Sequence, residues 1–178
     1  MAVKEIVAGS IITVVIGGSA YTISQTDIIN NFADDTGLTQ QEAKDYVKNI
    51  DPDDLVSYEK LGSDFITDGN DILNQVSQID CVNYQYEWES PSLSCMTGKN
   101  QLAEIGNDEV SLGQAYKKLG SDSASSDDIS ATIRLIDEVN SDYRFGIVNK
   151  ILDTASIDEA KKTNSYNKAT LEAALEGD

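Results

Sequence analysis

The chain has 178 residues, with 31 Asp and Glu against 13 Lys and Arg and a formal net charge of −18. A surface this acidic repels phosphates and anionic headgroups, which argues against nucleic acid and suits a divalent cation or a basic partner. Histidine is absent, so a Ser-His-Asp triad, a Cys-His dyad and His-ligated zinc or haem are excluded, and a non-enzymatic role is expected.

The first element spans Ile6 to Ile23, an uncharged apolar stretch near the minimum length for crossing a bilayer as a helix. Lys4 precedes it and Asp27, Asp34 and Asp35 follow, so the positive-inside rule places the remainder outside the cytoplasm. As an uncleaved anchor, the stretch lines up Gly9, Thr13 and Gly17 as a small-residue stripe. Its partners would then be the lipid bilayer and the helices of other subunits. As a signal peptide, Gly18-Ser19-Ala20 offers cleavage after Ala20, and the product is secreted. A buried core helix is the third reading.

Glu5, the apolar stretch and the acidic domain with two cysteines together resemble the type IV pilins. The resemblance covers only the start of the chain, and Lys4 occupies a position that is normally apolar there. It implies that Glu5 helps register subunits within a filament core.

Two helices come next. Thr26-Asp27 opens the first, which carries Ile28, Ile29 and Phe32 and stops at Gly37. Thr39 with Glu42 forms a capping box for the second, whose apolar face is Ala43, Tyr46, Val47 and Ile50. Asp51-Pro52 starts another helix, with proline at its favoured first position.

An internal repeat follows, over residues 58–88 and 116–145. Tyr58-Glu59-Lys60-Leu61-Gly62-Ser63-Asp64 recurs as Tyr116-Lys117-Lys118-Leu119-Gly120-Ser121-Asp122, with a lysine replacing Glu59. Beyond it, Asp71-Ile72 matches Asp128-Ile129, Val76 matches Ile133, Ile79-Asp80 matches Ile136-Asp137, and Tyr86 matches Tyr143. Glycine closes helices readily, so each copy is expected to be a helix ending at Leu-Gly, a polar loop and a second helix. In the second copy Ile129, Ile133, Ile136 and Val139 make an apolar stripe. The predicted fold is mostly α: a transmembrane or signal helix over residues 1–23, then a small acidic domain over residues 24–178 built from two duplicated helical hairpins.

The loops within the two copies are acidic, with Asp64, Asp68 and Asp71 in the first and Asp122, Asp127 and Asp128 in the second. Weak Ca²⁺ sites are one reading, because hard cations take clustered carboxylate oxygens, although neither loop keeps EF-hand spacing. Capping of the following helices is the other. No other cofactor is implied.

Cys81 and Cys95 are the chain's two cysteines, and in an exported protein a structural disulfide is expected. Tyr84 to Glu89 lies between them and reads as helix by the repeat, or as a strand by its alternation. Farther on, Phe145, Val148, Ile151 and Leu152 continue the helical pattern past Gly146. A polar helix runs from Ser156 to Lys162, and Asn164 or Ser165 caps a last one carrying Leu171, Ala174 and Leu175.

The functional expectation is a membrane-anchored extracytoplasmic structural or interaction protein, a non-catalytic subunit of a surface, envelope, filament or virion assembly. The alternative is a secreted or anchored module binding a divalent cation or a basic ligand.

Overall fold

The computed structural model describes residues 11–50, 57–81, 95–145, 148 and 154–177. Among them are six helices and one two-stranded sheet.

The apolar start is a β-hairpin over residues 11–24, which corrects the expected transmembrane or signal helix. Strand β1 (Ile11–Ile16) pairs antiparallel with β2 (Ser19–Ser24), with Ile12 opposite Ile23 and Ile16 opposite Ser19. Every residue of β1 is β-branched, a side-chain type that is stiff in a helix and packs well on a pleated strand. Gly17 and Gly18 then take φ of 59° and 75°, the paired positive values that a two-residue type I′ turn needs. Ile12, Val14, Ile16 and Ile23 point inward and are buried in the same core as the helices. No described helix is long and apolar enough to cross a membrane.

Of the expected small-residue stripe, two positions are described and neither is helical. Thr13 sits mid-strand and Gly17 in the turn, while Gly9, like Glu5, lies outside the described residues. The boundary expected after residue 23 falls within β2. Ala20 pairs with Val15, so cleavage after it would detach β1 and three of its core side chains.

Helix α1 (Gln25–Thr36) is capped by Ser24 and closed by Gly37 in the left-handed conformation. Helix α2 (Gln40–Asn49) begins with the Thr39–Glu42 capping box, and its Tyr46 stacks on Phe32 of α1 with ring centroids 4.9 Å apart. The expected start at Pro52 lies outside the described residues.

Helix α3 (Tyr58–Gln78) runs unbroken through Gly62, against the expectation that Leu61-Gly62 ends a helix. Helix α4 (Cys95–Leu119) packs antiparallel on it, and α4 does stop before Gly120. The two copies of the repeat therefore fold differently. Ser63-Asp64 is followed by Phe65 and Ile66, which keep an apolar face against α4, whereas Ser121-Asp122 is followed by Ser123, Ala124 and the N-cap Ser125. Gly62 itself is held by contact: a Cβ there would meet the Gly113 carbonyl oxygen of α4. The repeated tyrosines meet across this pair, with Tyr58 stacked on Tyr116 at 5.9 Å.

Helix α5 (Ser126–Asp142) buries Ile129, Ile136 and Val139, with Ile133 packed at the margin of the core. The last helix, α6 (Thr154–Glu176), is continuous where two helices were expected. Asn164 is not a cap but a buried residue that donates to Asn140 Oδ1 of α5 at 3.0 Å. Ile151, Leu152 and Gly146 lie outside the described residues.

Candidate functional site

Cys81 and Cys95 are joined, with Cα atoms 5.6 Å apart. The disulfide closes the connection between α3 and α4. Nearby, the Lys99 amine donates to the Ile79 carbonyl at 2.8 Å. Residues Tyr84 to Glu89 lie outside the described residues.

The proposed cation ligands divide between separate elements. Asp64, Asp68 and Asp71 are exposed on α3, where helical spacing puts them along one side, and Asp64 receives an ion pair from Lys60 at 2.7 Å. Asp122 lies in the turn after α4, beside Gly18 of the hairpin. Asp127 and Asp128 open α5, and Asp128 closes the capping box with Ser125. Hydrogen bonds from Ser125 hold the Asp128 carboxyl below the usual carboxylate range. Among the described residues, no three carboxylates or cysteines lie close enough to hold a metal ion.

A different acid cluster lies where α3, α4 and α5 meet. Glu109 of α4 is 6 % exposed and Asp142 of α5 is 5 % exposed. The Tyr143 hydroxyl donates a long hydrogen bond to Glu109 Oε1 at 3.4 Å. Glu109 Oε2 and Asp142 Oδ2 are buried with no hydrogen-bond partner. Among the described residues, no lysine or arginine forms an ion pair with either carboxylate.

A buried carboxylate with no cation beside it resists ionisation. Burial, then the charges of Asp68 and Asp142, push Glu109 up to about 7. Burial, then Asp108, Glu104 and Glu138, push Asp142 up to about 7. Asp68, though exposed, is also raised, by partial desolvation against α4 and by Asp64 and Asp71. Of the expected metal ligands, only Asp68 is coupled to this cluster. Glu109 was legible as a misfit: it interrupts the apolar series Ile105, Leu112, Tyr116 and Leu119 at helical spacing.

The second feature is a cleft of about 500 Å³ between α1, the end of α5, and α6. Its walls include Asp35, Asp137, Asp158, Arg144, Lys161 and Lys162. Lys168 of α6 braces it, contacting Asp35 Oδ1 and Asp137 Oδ1 at 2.7 Å each and Glu172 at 3.9 Å. Burial opposes the Lys168 charge, but the hydrogen bonds to Asp137 and Asp35 outweigh it and hold the amine above its ordinary range. Nothing in the local sequence marks Lys168, because its partners come from α1 and α5.

No family model, no curated protein and no solved structure matches the chain. Functional argument therefore rests on these features alone.

Proposed function

We propose that this chain is an interaction domain that works outside the cytoplasm, a non-catalytic subunit of a surface, envelope, filament or virion assembly. The Cys81–Cys95 disulfide carries the reading, because such bonds persist in oxidising compartments and are rare where thiols are kept reduced. The missing histidine and the net charge of −18 support binding over catalysis. Glu109 and Asp142, the two carboxyls raised to near neutral pH, do not line the 500 Å³ cleft, so a substrate there would not reach them. With residues 11–24 folded as a hairpin, association through an N-terminal membrane helix loses its support, and docking through the acidic helical surface takes its place.

The test is thiol alkylation of protein taken directly from its source, followed by mass analysis. Both cysteines should resist labelling until a reductant is added. Prompt labelling of both would place the chain in a reducing compartment and end this reading.

A second reading is favoured by the acidic side of α3, where Asp64, Asp68 and Asp71 are exposed in one row: binding of a basic ligand. Spermidine should then raise the melting temperature at neutral pH, and less so in Asp68→Asn. Identical melting curves with and without spermidine would remove it.

A further inference from the structure

We infer that the cleft between α1, α5 and α6 binds a small anion, one bearing a carboxylate or a phosphate group. Cations are scarce in this chain, 13 against 31 acidic residues, yet Arg144, Lys161 and Lys162 all line this one cleft. Of its three acidic walls, Asp35 and Asp137 share the Lys168 amine at 2.7 Å, which offsets one of their two charges. With Lys168 counted, four cations stand against these three carboxylates. Among the described residues, Arg144, Lys161 and Lys162 take part in no ion pair, although the surface around them is crowded with carboxylates. Lys161 and Lys162 are half-buried, so their charges sit where the dielectric is lower and a bound anion is held more strongly than on open surface.

The remaining walls suit a polar guest. Ser141 and Ser165 add hydroxyl groups, and Ser165 is 5 % exposed. A volume of about 500 Å³ lies within the usual range for small-molecule sites. Arginine and lysine recognise carboxylate and phosphate through the same charge-assisted hydrogen bonds, so both chemistries are admitted. The inference is independent of where the chain works and of the acid cluster.

The experiment is a backbone amide NMR titration of the full chain with inorganic phosphate and, separately, with succinate at constant ionic strength. Saturable shifts at Ser141, Lys161 and Ser165 are expected with at least one of them, which also identifies the preferred group. Replacing Lys161 and Lys162 together by Gln should weaken that affinity by roughly tenfold or more. Replacing Lys44 and Lys48 of α2 by Gln, an equal change in net charge outside the cleft, should leave it within about twofold. Absence of saturable shifts with either anion, or equal weakening by the two double variants, overturns the inference.

Discussion

Gly62 and Gly113 face each other across α3 and α4 so closely that a Cβ on Gly113 would stand 2.6 Å from the Gly62 carbonyl oxygen. Gly69 and Gly106 repeat the arrangement one heptad along, with a Cβ on Gly69 coming 2.6 Å from the Gly106 carbonyl oxygen. The helix backbones therefore touch, a separation that admits Cα–H to carbonyl contacts. In an exposed helix, Gly→Ala gains up to about 1 kcal/mol of propensity. Here the methyl group has nowhere to go. Gly113→Ala and Gly69→Ala should each lower stability by about 1–3 kcal/mol in urea melts, as overpacking does.

The buried acid cluster should make the protein more stable in mild acid than above neutrality. Glu109 rises to about 7 from its ordinary 4.5, and Asp142 to about 7 from 3.8. The folded state therefore binds more protons than the unfolded chain across that window. Their contribution is whole below the unfolded values and is lost as pH climbs through about 7. Unfolding free energy should be higher at about pH 5 than at about pH 8 by on the order of 1–3 kcal/mol. Glu109→Gln should flatten that slope. The capping carboxylates Glu42 and Asp128 have lowered values, so their help disappears at stronger acid, giving a stability maximum rather than a plateau.

Lys168 ties α6 to α1 and α5 with its side chain 13 % exposed. Lys168→Met should cost about 1–3 kcal/mol, mostly because Asp35 and Asp137 then repel with no cation between them. Adding Asp35→Asn to that variant should recover part of the loss. An unchanged denaturant midpoint in Lys168→Met would show the bridge to be worth little, as most exposed pairs are.

The hairpin reading of the apolar start can be separated from the membrane reading by stability in plain buffer. Ile16 is 1 % exposed, so Ile16→Ala should destabilise the folded domain by about 2–4 kcal/mol without detergent present. A chain beginning at Tyr21 loses β1 and should be less soluble and less cooperative in melting. If both behave as the parent does, the strand is not part of the core.

Most local decisions in this chain are written locally. Gly37 ends α1, Thr39 and Glu42 open α2, and the α5 stripe from Ile129 to Val139 is buried as its spacing demands. Each depends on residues within a turn or two of one another. The apolar start was ambiguous, since hydropathy alone separates water from oil but not a strand from a helix. The six β-branched residues of Ile11–Ile16 and the Gly17-Gly18 pair were the overlooked signal.

Sequence by itself determined the acidic charge, the absence of histidine chemistry, the helical class and the one cysteine pair, because these follow from composition and short-range periodicity. Only the tertiary structure decided what the same heptapeptide does twice. At Gly120 the chain turns, and at Gly62 it continues as helix because α4 lies against it. The acid cluster and the cleft were likewise invisible along the chain. Their groups come from helices far apart in sequence, and both a raised carboxyl pKa and a bridged lysine are set by neighbours in space.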